Sequence, residues 1–368
     1  METENRARGG TPQLTPVDLD SVPEVDALLS RLGIGILDRT VVKTSLGRND
    51  NWSGTSADGT EVFVKRISGP DREARMTRTT AFCAAAGDWV TTPRLLGSDK
   101  ENGLLVFERL SDSRSGTELV ADDAFTEDLC ERAGTGLAAV HGLDPAGFDT
   151  TPHPLPPTAN LEAVPYSFYT QATAAELATW RLMHGDPPLA DALRRLRGAD
   201  DESLPSWCPI HGDVRLDQFL LAGGQLYLTD FEEARIGDPA RDLGAFAGEW
   251  LFQAALRIPV TLAESSPMGH TPTHEEIIAT GVGEIEQRSP LVRRFYAAYL
   301  DRAPGFVRDD KELAVRAASY AGWHMMDRML ATAGSSTRLS PVSKAAAGIG
   351  RTVLLSPAEF TSSLGLEA

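Results

Sequence analysis

One stretch of this chain, residues 209–244, constrains the fold more than any other, because it combines two acidic residues with a predicted β-hairpin. Asp213 lies in a His-Gly-Asp turn, and Asp230 follows the alternating apolar run 225–229. Such alternation is typical of a half-buried strand. The preceding Phe-Leu-Leu predicts the partner strand, and Ala-Gly-Gly-Gln predicts the tight turn between them. The sequence therefore places the two carboxylates near each other across a hairpin.

Two carboxylates in this order suit the transfer of a phosphoryl group. One orients or deprotonates the attacking hydroxyl, and the other holds the Mg²⁺ that bridges the nucleotide phosphates. Protein kinases place their catalytic Asp five residues before a metal-binding amide and ahead of a strand that ends in a second Asp. Asp213 is therefore the predicted catalytic residue, with Gln218 at the amide offset. We expect Gln218, Asp230 and Glu232 to be the metal ligands.

Three motifs of this region carry a family resemblance. His211-Gly-Asp, Asp230-Phe-Glu and Gly237-Asp-Pro-Ala-Arg-Asp-Leu resemble the aminoglycoside phosphotransferase and choline kinase superfamily. The resemblance implies an α+β, two-lobed, protein-kinase-like fold with a small antiparallel-sheet N-lobe and a larger, mainly helical C-lobe. It also implies ATP and Mg²⁺ as cofactors. The chain departs from the family at Gln218, where Asn is usual, and at the Phe-Glu after the metal-binding Asp.

This fold divides the chain into a tail and two lobes. Residues 1–16 are polar, contain Gly and Pro, and are expected to be flexible. Residues 17–110 form the predicted N-lobe, with the nucleotide-binding sheet and helix. Residues 111–368 form the predicted C-lobe, with the catalytic hairpin 209–232 and the remaining helices.

Apolar periodicity predicts a helix in each lobe near the boundary between them. The first spans residues 72–86, and its predicted inward residues are Ala74, Thr77, Ala81 and Ala85. The second spans residues 125–141, and its predicted inward residues are Leu129, Ala133, Leu137 and Val140.

Three residues of the N-lobe are candidates for binding the nucleotide. Lys65 ends a predicted strand, where kinase-like folds place the lysine that contacts the α- and β-phosphates. Glu73 is the predicted ion partner of Lys65, since the fold pairs that lysine with a glutamate of the next helix. Glu108 opens the segment that joins the lobes, where backbone groups would meet adenine. The alternatives are a solvated strand end for Lys65 and a surface residue of the first helical turn for Glu73.

The segment 46–54 is predicted to be a polar loop that lacks the Gly-x-Gly-x-x-Gly pattern. Arg48, Asn49 and Asn51 could reach phosphates or substrate from this loop. Alternatively, they hold the loop through local Asx-turn hydrogen bonds.

Further polar residues are predicted to be structural. Asp242 is expected to cap a helix or to anchor the His-Gly-Asp turn, and His211 to hydrogen-bond within that turn. A second His-Gly-Asp sequence at 184–186 is followed by two prolines and by no suitably placed amide, so it predicts a helix exit.

Composition narrows the class of protein. The 368 residues carry a formal net charge of −17, which disfavours nucleic-acid binding because no basic excess is available to neutralise phosphates. The three cysteines, at 83, 130 and 208, form neither a metal spacing nor a disulfide framework, which fits a reducing cytoplasm. No apolar run reaches the ~18 residues of a membrane span, so no membrane association is expected.

A narrower resemblance concerns the substrate. Gly47-Arg-Asn-Asp-Asn-Trp52 together with His211-Gly-Asp-Val-Arg-Leu-Asp-Gln218 is similar to the kinase subunit of class V lanthipeptide, or thioamitide-type, synthetases. Those subunits phosphorylate Ser or Thr of a precursor peptide, and a separate HopA1-like lyase then eliminates the phosphate. The resemblance implies both partners. Phosphorylation of a small antibiotic or metabolite is the second hypothesis, and a nucleotide-binding pseudokinase scaffold is the third.

Overall fold

A computed structural model of the chain describes residues 17–45, 49–201 and 206–367. The predicted flexible tail, 1–16, and Arg48 lie outside the described residues. The described part has two lobes, one built on an antiparallel sheet and one mainly helical, so the predicted α+β fold is confirmed.

The small lobe is a five-stranded antiparallel sheet with two helices. Its strands are β1 (Lys43–Ser45), β2 (Asp50–Thr55), β3 (Glu61–Arg66), β4 (Leu95–Asp99) and β5 (Leu104–Glu108), in the spatial order β1-β2-β3-β5-β4. Helix α1 (Pro23–Arg31) precedes the sheet, and helix α2 (Arg72–Ala86) follows β3.

Strand β2 begins earlier than the polar sequence suggested. The predicted loop over 46–54 is too long, since Asp50 already pairs with Arg66 of β3. Trp52 is the reason, because it is fully buried in the sheet core and its indole Nε1 donates to the Val17 carbonyl oxygen at 2.9 Å. Burial of this large aromatic side chain favours the strand more strongly than its polar neighbours favour a turn.

Helix α2 has the predicted bounds but a different buried face. Its buried residues are Arg75, Met76, Thr79, Phe82 and Ala86, not the predicted alanines and Thr77. The larger apolar side chains select the inward face because they remove more surface from water than alanine does.

The large lobe contains ten helices among the described residues. They are α3 (Gly116–Ala121), α4 (Glu127–His141), α5 (Tyr166–Tyr169), α6 (Ala174–His184), α7 (Pro187–Asp201), α8 (Ala240–Ser265), α9 (His274–Arg302), α10 (Gly305–Arg308), α11 (Leu313–Gly334) and α12 (Pro341–Leu355). The short strands are β6 (Arg114–Ser115), β7 (Cys208–Ile210), β8 (Phe219–Ala222), β9 (Gln225–Leu228) and β10 (Arg235–Gly237). None of the described helices is long and apolar enough to cross a membrane.

Helix α4 lies at the centre of the large lobe. Its four predicted inward residues are all buried, and the helix packs against α9. Gly134 allows this close approach, because a Cβ there would lie 2.2 Å from the Phe295 carbonyl oxygen. The predicted helix exit at 184–186 is also confirmed, since α6 ends at His184 and Asp186 accepts from the Leu189 amide at 3.2 Å.

The two glycines of α4 provide a matched test of this packing. Gly134→Ala should destabilise the protein by about 1–3 kcal/mol, because the new methyl group overpacks the α4–α9 contact. Gly136→Ala should be neutral or stabilise by up to about 1 kcal/mol, because nothing lies within 4 Å of its added Cβ and alanine favours the helix. Urea unfolding measures both, and equal effects would contradict the packing argument.

Candidate active site

The predicted catalytic hairpin is present. Strands β8 and β9 pair with Phe219 opposite Leu228 and Ala222 opposite Gln225. Gly223 and Gly224, with φ of 55° and 78°, form the two-residue turn, which requires positive φ at both positions. At the open end, the amide and hydroxyl of Thr229 both donate to the Gln218 carbonyl oxygen at 3.0 Å. These bonds hold Gln218 beside Thr229, and therefore close in space to Asp230.

The loop that carries Asp213 is held from below by Asp242 of α8. The Asp242 carboxylate is fully buried and accepts from the amides of His211 and Gly212 at 2.6 and 2.9 Å. It also contacts His141 Nε2 at 3.1 Å. Burial raises the pKa of Asp242, but the His141 hydrogen bond and the surrounding positive charges and amides lower it by more. The prediction that Asp242 anchors the turn is confirmed.

His211 has the structural role that the sequence suggested. Its Nδ1 accepts from the Asp213 amide at 3.3 Å, so its Nε2 carries the proton and donates to the Thr229 carbonyl oxygen at 2.9 Å. The buried imidazole thus joins the start of the loop to the end of β9. Both ring nitrogens are used within the loop, which leaves neither free for a substrate proton.

Asp213 stands at the accessible end of this loop. Gly212 before it has φ of 85°, and a Cβ there would lie 2.6 Å from the Glu233 carbonyl oxygen, so the His-Gly-Asp sequence requires its glycine. The nearest cation is Arg215, with Nε 3.9 Å from Asp213 Oδ2. Burial raises the pKa of Asp213, and the positive charge of Arg215 offsets only part of that rise. The carboxylate is therefore more basic than an ordinary aspartate.

Asp230 adopts the left-handed backbone conformation at the end of β9, with φ of 70° and ψ of 58°. Its Oδ1 accepts from Lys65 Nζ at 2.6 Å, which joins the small and large lobes. Burial raises the pKa of Asp230, but the charge and hydrogen bond of Lys65 lower it by more. Burial likewise lowers the pKa of Lys65, and its two carboxylate neighbours raise it by more. Both residues are therefore charged.

The second carboxylate beside Lys65 is Glu232, whose role as a metal ligand stays a prediction. Glu232 Oε1 lies 2.5 Å from Lys65 Nζ and accepts from Asn49 Nδ2 at 2.8 Å. Glu232 Oε2 accepts from Arg75 Nε at 2.7 Å and also from Arg75 Nη2. Both oxygens are engaged by donors of the protein.

The prediction that Glu73 is the ion partner of Lys65 is wrong. Glu73 is exposed on α2, and the lysine pairs with Asp230 and Glu232 of the large lobe instead. The residues of α2 that line the cavities are Thr79 and the fully buried Arg75. Helix α2 thus contributes a cation where the prediction placed an anion.

The two described residues of the predicted phosphate loop differ in their positions. Asn49 is buried and bridges Arg75 and Glu232, since its Oδ1 accepts from Arg75 Nη2 at 3.1 Å. It is therefore neither a free ligand nor a local turn residue. Asn51 donates from Nδ2 to the Asn49 carbonyl oxygen at 3.2 Å, as a local turn residue would. Its Oδ1 has no hydrogen-bond partner among the described residues.

Two cavities meet at these side chains. The larger, about 700 Å³, extends from Lys65 and Asp230 to the lobe junction at Glu108 and Leu110. The smaller, about 330 Å³, reaches Asp213. The residues that line both are Asn51, Lys65, Gln218, Asp230 and Glu232. Glu108 thus lies where the nucleotide-binding prediction put it, and its carboxylate accepts from the Arg94 amide at 3.0 Å.

Oxygen donors for a cation are present at this junction. Asp230 and Gln218 line both cavities, and carboxylate and amide oxygens are ligands that Mg²⁺ accepts. Within the described ranges, no three His, Cys, Asp or Glu side chains form a metal cluster. A cation here would therefore take the rest of its oxygen ligands from the nucleotide phosphates and water, as is usual for Mg²⁺.

Sequence reasoning missed a second anchor of the loop. Glu249 Oε2 accepts from the Leu216 amide at 3.3 Å, and its Oε1 lies 2.6 Å from Nε2 of the buried His324. Glu249 is two helical turns after Asp242 on α8 and therefore shares its face. That spacing was available in the sequence as a signal.

Asp242→Asn should destabilise the fold by about 3–5 kcal/mol, because it leaves buried donors of the loop without their charged acceptor. The folded-state pKa of Asp242 is depressed, so this stabilisation is present above the unfolded value of 3.8 and is lost as pH falls through the folded pKa. Denaturant unfolding at neutral pH measures the effect. Asp191→Asn, on the exposed face of α7, is the control, with an expected change within about 0.5 kcal/mol; equal losses would refute the anchoring role.

Comparison with known proteins identifies the family. The model of the family described as phosphotransferase enzyme family matches residues 45–265. No curated protein sequence has significant similarity to the chain. Among solved structures, the chain is similar to amicoumacin kinase hAmiN in complex with AMP-PNP, Ca²⁺ and Ami, at 12% identity over 93% of this chain and 94% of that chain, with a TM-score of 0.56.

A second similar structure is a provisionally assigned fructosamine-3-kinase from Thermobifida fusca YX-ER1. The identity is 17% over 92% of this chain and 99% of that chain, with a TM-score of 0.51. At such identities these two structures support the fold, and the family follows from the sequence match, which spans more than half of the chain. The protein belongs to the phosphotransferase enzyme family.

Proposed function

We propose that this phosphotransferase uses ATP to phosphorylate Ser or Thr hydroxyls of a ribosomal precursor peptide, ahead of phosphate elimination by a partner lyase. The observation that carries the phosphotransfer is the common lining of the two cavities. Lys65 and Asp230 stand where the cavities meet, with the lobe junction at one end and Asp213 at the other. A nucleotide in the larger cavity would thus direct its terminal phosphate toward Asp213.

Each residue has a role that follows from its place. The junction at Glu108–Leu110 receives adenine, and Lys65 contacts the phosphates as a cation held at the cavity boundary. Asp230 and Gln218 would hold Mg²⁺. When bound, that ion supplies positive charge between the phosphates and the lobe.

The transfer itself needs little from the protein beyond position and a proton acceptor. The acceptor hydroxyl oxygen forms a bond to the γ-phosphorus, while the bond between that phosphorus and the oxygen of the β-phosphate breaks. The hydroxyl proton passes to the Asp213 carboxylate, and ADP is the leaving group. The raised pKa of Asp213 favours this proton transfer, because a more basic carboxylate is a better acceptor.

The peptide acceptor rests on two motifs. Both the segment 47–52 and the segment 211–218 are similar to the kinase subunits of class V lanthipeptide synthetases. A phosphorylated Ser or Thr loses phosphate when a base removes its α-proton, and the resemblance to class V lanthipeptide synthetases assigns that step to a separate lyase. We therefore propose a HopA1-like lyase as the partner. The three free cysteines are consistent with a reducing cytoplasm as its location.

A small hydroxylated molecule is the second candidate acceptor. The similar structure of hAmiN contains Ami together with AMP-PNP and Ca²⁺, and it shares this fold. The same catalytic chemistry would serve such an acceptor, because both kinds of acceptor present a hydroxyl group to Asp213.

The acceptor is tested by incubating the full chain with ATP, Mg²⁺ and either Ser/Thr-containing precursor peptides or a panel of aminoglycosides, macrolides and amicoumacin. Mass spectrometry should show the mass of one or more phosphoryl groups on the peptide. Phosphorylation confined to a small molecule would replace the first proposal by the second. Failure to phosphorylate any acceptor would favour the third hypothesis, a nucleotide-binding pseudokinase scaffold.

Asp213→Asn should lower the phosphorylation rate by roughly 10²-fold or more, because the amide cannot accept the hydroxyl proton. It should leave the melting temperature unchanged or raised, because the cleft disfavours the ionised carboxylate. In the wild type, the acid limb of the rate profile should lie above pH 3.8, since protonation at the raised pKa removes the base. Asp191→Asn, an exposed aspartate of α7 outside both cavities, is the control and should leave the rate unchanged. An active Asp213→Asn variant would exclude Asp213 as the base.

A further inference from the structure

Lys65 is held by two carboxylates, and only one of them is available throughout the proposed reaction. Lys65 Nζ lies 2.6 Å from Asp230 and 2.5 Å from Glu232. In the function proposed above, Asp230 binds the metal ion and its charge is then shared with that ion. Glu232 would remain as the carboxylate that orients Lys65.

Glu232 is itself fixed from three sides. Arg75 donates to its Oε2 from α2, Asn49 donates to its Oε1 from the start of β2, and Lys65 reaches it from β3. Arg75 is anchored in turn by donation from Nη1 to the Ser68 carbonyl oxygen at 3.0 Å. A carboxylate with this many fixed donors cannot rotate without breaking several charge-assisted bonds.

The turn that carries Glu232 is also fixed by packing. Phe231 stacks on Phe82 of α2 with ring centroids 3.4 Å apart, and Glu232 follows it in the same 3₁₀ turn, Phe231–Glu233. Backbone and side chain are therefore both held against α2. Glu73, the only glutamate of α2, is exposed and takes no part.

The net charge of the cluster around Lys65 is suited to binding phosphates. Lys65 and Arg75 oppose Asp230 and Glu232, so the four side chains sum to zero. When Asp230 is neutralised by a cation, the remaining three carry one positive charge in excess. That excess faces the cavities and suits the phosphates of a nucleotide.

We propose that Glu232 is the positioning residue of Lys65, so that the residue after Asp230-Phe231 performs the task that the sequence had suggested for a glutamate of α2. Arg75 and Asn49 hold its carboxylate in place. The inference depends on the phosphate-binding role of Lys65 in the proposed function.

A double-mutant cycle tests whether Glu232 acts through Lys65. The dissociation constant of Mg²⁺·AMP-PNP is measured by calorimetry for the wild type, Glu232→Gln, Lys65→Met and the double variant. Glu232→Gln should weaken binding roughly tenfold, the effect of about 1.4 kcal/mol. In the Lys65→Met background, the same change should weaken binding no further. Undiminished affinity of Glu232→Gln, or an equal loss in both backgrounds, would overturn the proposal.

A second variant tests whether Glu232 positions Lys65 or only neutralises the charge of Arg75. Glu232→Gln removes the charged partner of the buried Arg75 and is expected to destabilise the protein, whereas Arg75→Met with Glu232→Gln removes both buried charges. This pair should keep a melting temperature within a few degrees of the wild type and still bind Mg²⁺·AMP-PNP roughly tenfold more weakly. Recovery of wild-type affinity would show that Glu232 only balances Arg75, and would overturn the proposal.

Two further measurements complete the design. Glu101→Gln, an exposed glutamate in the turn between β4 and β5, is the matched control and should bind as the wild type does. A larger loss in Glu73→Gln than in Glu232→Gln would return the role to α2. Absence of Mg²⁺·AMP-PNP binding by the wild type would overturn the proposed function itself, which is a different result from a cycle without coupling.

Discussion

A buried carboxylate beneath the catalytic loop is the constraint on which the site depends. Asp242 lies in the first turn of α8 and accepts from two successive backbone amides of the loop. A buried anion is stable only when its acceptor capacity is filled, so the loop must present those amides in one orientation. That orientation sets the direction of Asp213. The orientation of Asp213 thus follows from the hydrogen bonds that stabilise the buried charge of Asp242.

The motifs predicted the parts of the site that local sequence determines. The His-Gly-Asp turn needs its glycine, and the hairpin needs Gly223 and Gly224, so these features follow from backbone conformation alone. Asp230 is placed by that hairpin, and Asp213 by the His-Gly-Asp turn. The bounds of α2 were likewise available from periodicity and from the residues at its ends.

The incorrect predictions concern side chains whose contacts are with residues that are distant in the sequence. An arginine within a helix is normally exposed, and Arg75 is buried only because Glu232, distant in the sequence, compensates its charge. Glu73 lies two residues earlier, roughly 200° around the helix, and therefore faces solvent when Arg75 faces the site. In the same way, nothing next to Glu232 in the sequence shows that its oxygens contact Lys65 and Arg75.

The contacts of α2 have a mechanical consequence. Although α2 follows β3 in the chain, Phe82 and Ala86 belong to the core of the large lobe, and Arg78 pairs with Asp149 there. The sheet has a core of its own around Trp52. If the sheet and the large lobe move relative to each other, the movement would therefore occur between the sheet and α2, where Met76 packs against Leu105, and not at the lobe boundary in the sequence. A change in the width of the nucleotide cleft would tilt the sheet relative to α2, which would stay with the large lobe. Such a tilt would change the distances from Lys65 to Asp230 and Glu232.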